Sequence, residues 1–268
     1  MIGIFDSGIG GLTVVRAIMD ALPEYDIVYF GDTARTPYGT KSGRTVVEYS
    51  RQDTDFLINK GAKIIVIACN TASSVAFEDT QARFDLPVYE VISPAVDLAL
   101  DQTRRGIIGV IGTRGTIESG IYERKIRERS PEAKIHSVAC PLLVPLVEEG
   151  WNEKPETRMI VKKYLHPLKV RQIDTLILGC THYPVIKHVI AHKIGKKVRI
   201  IDSSVALAGQ IRQFLTDYPE VDATLDKNGQ TRFYVSDVTR QFEKTAKTVI
   251  KRNIELTAAD LQESAGFR

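Results

Sequence analysis

The chain reads as an α/β protein made of two similar parallel-sheet halves, and three observations lead there. Short runs rich in Val and Ile recur along it: IGIF at 2–5, IVYF at 27–30, KIIVIAC at 63–69, VYEVI at 88–92, IIGVIG at 107–112, KIHSVAC at 134–140, TLILGC at 175–180 and VRIID at 198–202. Apolar runs that are continuous rather than alternating mark strands buried on both faces, the habit of parallel sheets. Helix-length segments lie between them, including Gly11 to Leu22, Ser42 to Lys60, Ile117 to Arg129 and Glu156 to Val170, so strand and helix alternate. The pattern also repeats. Cys69 and Cys180 close similar runs 180 − 69 = 111 residues apart, and the openings IGIFDSG and IGVIGTRG start at Ile2 and Ile108, 108 − 2 = 106 apart. Duplication of one α/β unit accounts for both offsets.

At 268 residues the chain can form two domains that each bury a core. The segments ISPAVDLAL (92–100) and DSSVALAGQI (202–211) read as crossing points at strand ends. The second domain is then an insertion, residues 95–204, in a first domain of residues 1–94 plus 205–268. The polar ending TAADLQESAGFR is expected to fray. Hydrophobic content of 43% and charged content of 26% suit a globular protein. No run approaches the roughly 18 apolar residues of a membrane span. The start MIGIFDSGIGG lacks the basic and long apolar regions of a secretory signal, which predicts a cytoplasmic protein. The 36 basic and 33 acidic residues are scattered, net +3, so no nucleic-acid partner is expected. Three cysteines without a CxxC pair argue against a disulfide framework and against a zinc site, and predict reduced thiols.

Parallel sheets place ligands beyond the carboxyl ends of their strands, so the loops there hold the candidates. In DSGIGG, glycines 8, 10 and 11 permit a tight turn and a close approach, but the stretch is neither a GxGxxG fingerprint nor a P-loop. Two readings stay open: Asp6 or Ser7 caps the next helix, or Asp6 is a carboxylate at the floor of an anion-friendly crevice. Cys69 and Cys180 stand in equivalent positions, each followed by polar residues: Asn70 and Thr71 after one, Thr181 and His182 after the other. A thiol, with an ordinary pKa of about 8.5, can act as acid or base near neutrality when a neighbour assists. Asp6 is the candidate for Cys69 and His182 for Cys180. His136, His166, His188 and His192 read as surface residues. Glu148 and Glu149, in CPLLVPLVEEGW, are a solvated helix end unless the apolar run carries one into the crevice. Tyr38 and Gly39 sit in TARTPYGTKS, a loop long enough to contact a substrate or act as a lid.

Six stretches, GIFDSGIGGLTVVR, YFGDTARTPYGTKS, ACNTASSVA, GVIGTRGTIESGIY, ACPLLVPLVEEG and LGCTHYP, together resemble the glutamate racemases, and they follow in that family's order from residue 3 to residue 184. The resemblance implies cofactor-independent interconversion of L- and D-glutamate, supplying D-glutamate for peptidoglycan. It implies no metal, a homodimer, and two domains related by pseudo-twofold symmetry with the site in the cleft between them. Cys69 and Cys180 match the family's two catalytic cysteines, with Asp6, Glu148 and His182 as their assistants. Asp6, Ser7, Tyr38, Gly39, Asn70, Thr71, Thr181 and His182, and less firmly Thr113, match its substrate contacts. By the same resemblance Cys69 takes the α-proton of D-glutamate while Cys180 reprotonates the other face. Cys140 is left to packing. An aspartate racemase would share two cysteines and the fold, and a redox or binding module would pair the two thiols. Separate assays with each amino acid, and thiol titration before and after reduction, discriminate these alternatives.

Overall fold

The computed structural model describes residues 1–259 and 261. Its elements run β1 (Ile2–Asp6), α1 (Gly11–Ala21), β2 (Ile27–Gly31), α2 (Gly43–Asn59), β3 (Ile64–Ile67), α3 (Asn70–Arg83), β4 (Val88–Glu90) and α4 (Ile92–Gln102). They continue with β5 (Ile107–Gly112), α5 (Arg114–Glu118), α6 (Ile121–Arg129), β6 (Lys134–Ala139), α7 (Leu143–Glu148), α8 (Pro155–Val170), β7 (Thr175–Gly179), α9 (Lys187–Ile194) and β8 (Arg199–Asp202). The chain ends through α10 (Ser203–Asp217), α11 (Pro219–Asp222), β9 (Thr231–Val235), α12 (Arg240–Ile250) and β10 (Leu256–Ala258).

Two sheets form, one ordered β10-β9-β2-β1-β3-β4 and the other β6-β5-β7-β8, with every pairing parallel. The order β2-β1-β3-β4 in the first is repeated as β6-β5-β7-β8 in the second, so β1 corresponds to β5 and β3 to β7. That is the two-sheet α/β architecture expected from the apolar runs. All eight of those runs are strands. Two further strands, β9 and β10, escaped the sequence reading, because TRFYV opens on the polar pair Thr231 and Arg232, which leaves only a short apolar run, and LTA is three residues long. The ending expected to fray contributes Thr257 and Ala258 to β10, whose backbone pairs with β9; residues 260 and 262–268 lie outside the described residues. The two supposed crossing points are the N-terminal parts of helices α4 and α10.

Side chains alternate along each strand and so feed different cores. On β1, Ile2 and Ile4 join a core shared with α1, α4 and α10, whereas Phe5 joins one under α2 and α3. On β7, Ile177 faces the shared core and Leu176 and Leu178 face α7, α8 and α9. The first core contains Val66 of one sheet and Val110 of the other, so α1, α4 and α10 are packed between the two sheets. Helix α1 shows why: Leu12, Val14, Val15 and Ile18 are buried on it, each contributing roughly 1.5–3 kcal/mol of apolar burial. Among the described residues no helix is long and apolar enough to cross a membrane.

Candidate active site

The carboxyl ends of β1 and β3 meet those of β5 and β7. At the end of β1 Asp6 is fully buried, and its Oδ2 accepts hydrogen bonds from the backbone N–H of Gly8 at 2.9 Å and of Gly11 at 3.0 Å. Two of the amides expected to greet an external anion thus bond a carboxylate of the chain itself, while the N-cap position of α1 is Gly10. None of Gly8, Gly10 and Gly11 has a positive φ. Close approach is what these positions require: a Cβ on Gly10 would stand 2.2 Å from Thr181 Oγ1, and one on Gly11 2.3 Å from Asp6 Cβ. Burial pushes the Asp6 pKa up, against the opposing pull of His182 and the two N–H donors.

Cys69 is the residue before α3, 5% exposed, with its thiol directed at Ser7 Oγ 3.8 Å away. Burial, reinforced by the Asp6 charge, pushes this thiol up to about 12. Cys180 follows β7, 4% exposed, with Sγ 3.7 Å from His182 Nδ1. The other ring nitrogen of His182 lies 3.3 Å from Glu148 Oε1. Burial alone would hold His182 neutral, yet hydrogen bonds to Cys180 and Glu148 outweigh it and raise its pKa to about 10. His182 therefore carries a proton at neutrality, in a Cys180–His182–Glu148 chain. Of the two adjacent acids, Glu148 meets His182, while Glu149 is exposed just past the end of α7.

The two sheets are stitched by side chains from equivalent loops. Thr181 Oγ1 donates to Asp6 Oδ1 at 3.2 Å and Thr13 Oγ1 to the Thr181 carbonyl at 3.1 Å, joining the β1 and β7 loops. Thr71 Oγ1 bonds Thr113 Oγ1 at 2.9 Å, joining the β3 and β5 loops. These crosswise contacts are what a twofold relation between halves would produce. Tyr38 arrives on the short helical turn Tyr38–Thr40, and Gly39 lies against Thr113, 2.6 Å from Thr113 Cβ if it carried its own Cβ.

Behind Tyr38 is a buried polar cluster that the sequence reading missed. The Tyr38 hydroxyl lies 2.5 Å from Asp32 Oδ2 and 2.9 Å from Asp53 Oδ2, while Arg35 donates to both carboxylates. One hydroxyl proton cannot serve two carboxylates. Burial, then the Asp32 charge, raises Asp53 well above its ordinary value, so of the two carboxylates Asp53 takes up a proton more readily, and the Tyr38 hydroxyl lies nearer Asp32.

A narrow cavity opens among these loops. Ser7, Tyr38, Gly39, Cys69, Asn70, Thr71, Thr113, Cys180, Thr181 and His182 all line it, together with Pro37 and Val144. Asp6 and Glu148 do not: Asp6 is sealed behind the wall by its own loop amides, and Glu148 faces a neighbouring opening with Gly8, Thr36 and Gln241. Cys140 is buried, its thiol 3.6 Å from the Val138 carbonyl. His166, His188 and His192 are exposed, and His136 is half-buried. Among the described residues no group of His, Cys, Asp and Glu is placed to hold a metal ion.

Two buried thiols facing one cavity from the ends of equivalent strands define a class of two-sheet α/β isomerase. A family model described as Asp/Glu/hydantoin racemase matches residues 12–211, and the chain belongs to that family. Within it the chain groups with the glutamate racemases. It is 46% identical to the glutamate racemase of Geobacter metallireducens over 241 residues, covering 90% of this chain and 89% of that one. Among solved structures, a glutamate racemase from Bacillus anthracis superposes with a TM-score of 0.91 at 37% identity, covering 97% of both chains. The Francisella tularensis glutamate racemase, solved in complex with D-glutamate, superposes with a TM-score of 0.89 at 38% identity over 98% of both chains.

Proposed function

We propose that the protein racemises glutamate by a two-base mechanism in which Cys69 and Cys180 work on opposite faces of the α-carbon, and that the D-glutamate serves peptidoglycan synthesis. The observation that carries the reading is the pair of thiols on one cavity, each with a different electrostatic partner. Inversion at carbon needs a base on one face and an acid on the other, and two equivalent strands supply them. The L-to-D direction starts with Cys180 as the thiolate, 3.7 Å from His182 Nδ1, and with Cys69 as the thiol, a form that burial beside Asp6 favours. In that state L-glutamate gives its α-proton to the Cys180 thiolate, and the Cys69 thiol delivers its proton to the opposite face. The products are D-glutamate, a Cys180 thiol and a Cys69 thiolate. From D-glutamate the roles exchange, starting with a Cys69 thiolate. Burial of both thiols favours the proton transfer because a desolvated thiolate is a stronger base. Thr71, Ser7 and the backbone around Gly39 and Thr181 supply hydroxyl and amide donors for the two carboxylates.

Incubation with L-glutamate in D2O, without added cofactor, tests the reading by proton NMR and polarimetry. Loss of the α-proton signal together with loss of rotation is expected. Active turnover of aspartate in preference to glutamate would overturn the substrate assignment, and exchange without loss of rotation would overturn the two-base mechanism.

A further inference from the structure

Tyr122 is the second residue of α6, 2% exposed. Gly120, with φ of 66°, turns the chain between α5 and α6 and aims this helix start inward. The Tyr122 hydroxyl accepts a hydrogen bond from Asn70 Nδ2 at 2.9 Å, and Asn70 directly follows Cys69. The same ring packs against the residue before Cys180: a Cβ placed on Gly179 would lie 3.1 Å from Tyr122 Cε2. One phenol thus touches the chain neighbours of both thiols.

Asn70 lines the cavity and is 2% exposed, yet its Oδ1 is buried without a hydrogen-bond partner among the described residues. An unpaired buried acceptor costs about 1–3 kcal/mol, so a ligand donor that meets it binds with that much to gain. The substrate class at issue carries one strong donor, its α-ammonium. The nearby carboxylate does not reach it, because Asp6 does not line the cavity and is turned to its own loop, accepting from Gly8, Gly11 and Thr181.

We propose that Tyr122 is a positioning residue that orients the Asn70 amide so that Oδ1 accepts a hydrogen bond from the substrate's α-ammonium. The inference rests on the reading of the site as an amino-acid racemase. A neutral acceptor anchors the ammonium without cancelling its charge, and that charge stabilises the developing carbanion on the adjacent carbon. Tyr122 moves no proton itself: burial first, then the Glu90 charge, holds its hydroxyl far above the ordinary range. The anchor serves both enantiomers, since only the α-proton changes face.

Tyr122→Phe tests this, because it leaves the ring against Gly179 and removes only the hydroxyl. The measurements are KM and kcat for glutamate, and inhibition by glutarate, the same dicarboxylate without the ammonium. KM for glutamate is expected to rise roughly 3- to 10-fold, with the glutarate inhibition constant unchanged and the melting temperature lowered by only a few degrees. An unchanged glutamate KM, or glutarate weakened by the same factor as glutamate, would overturn the proposal. A wild-type protein that neither racemises nor exchanges glutamate would instead sink the functional reading, so the wild type is assayed first.

Discussion

At the scale of single residues, the two thiols differ in ways that a partial reaction can expose. In Cys180→Ala the remaining Cys69 should still exchange the α-proton of D-glutamate with solvent, while racemisation falls by several orders of magnitude. Cys69→Ala should exchange the proton of L-glutamate instead. Deuterium incorporation into each enantiomer checks this, and equal incorporation into both by either variant would contradict opposite faces. His182 gives a pH signature. Its folded pKa of about 10 lies above the ordinary 6.5, so its contribution to stability is complete below 6.5 and is lost as pH rises through 10. Cys69, raised from 9 to about 12, acts in the same direction at still higher pH. Thermal stability should therefore fall by up to a few kcal/mol between neutrality and pH 10, and His182→Asn should flatten that slope. The sequence disclosed these reactive groups because a lone Cys or His at a strand end is conspicuous. It did not disclose Tyr122, whose motif GTIESGIY was noticed but which looks like any tyrosine at a helix start until its ring is seen beneath Gly179.

At the scale of elements, the loop from Thr33 to Thr40 depends on the carboxylates behind it. Asp53 comes from α2, Asp32 from the end of β2, and Arg35 stacks over Tyr49 of α2 at 4.0 Å. Because burial favours a proton on Asp53, Asp53→Asn is the milder change and should cost under about 1 kcal/mol, whereas Asp32→Asn removes the negative charge that Arg35 and Tyr38 bond to and should cost about 3 kcal/mol. Denaturant melts compare the two; similar losses would mean that Asp53 is the charged member. Tyr38 should lose its position in the cavity with Asp32, so KM should rise in Asp32→Asn alone. The loop itself was recognisable from its length and its Pro and Gly content. Its anchors were not, since Asp32 and Asp53 are 21 residues apart (53 − 32 = 21) and meet only after β2 and α2 pack.

At the scale of the whole molecule, the site exists where two sheets approach, and glycine sets how near they come. Gly10 has ordinary helical φ and ψ, so alanine there is free of backbone strain. Its Cβ would still fall 2.2 Å from Thr181 Oγ1 and 2.5 Å from His182 Nδ1. Gly10→Ala should keep the fold and lose activity by about 100-fold or more, because a misplacement of about 1 Å at a reacting centre costs on that order. Circular dichroism with the kinetic assay checks both halves of this statement; full activity would mean that the sheets part to admit the methyl. The homodimer implied by the family resemblance is a proposal at this scale, and light scattering distinguishes a 29.9 kDa monomer from its double.

The sequence by itself determined the class of fold, eight of the ten strands found among the described residues and the two thiols, because continuous Val/Ile runs and strand-end residues are local patterns that follow from backbone periodicity and burial. Tertiary structure decided the rest. That Thr181 donates to Asp6, that Glu148 and not Glu149 meets His182, and that Asn70 and Tyr122 join across the sheets are facts of distance between residues far apart in the chain. No local pattern encodes such distances: they arise only when the two halves pack around α1, α4 and α10.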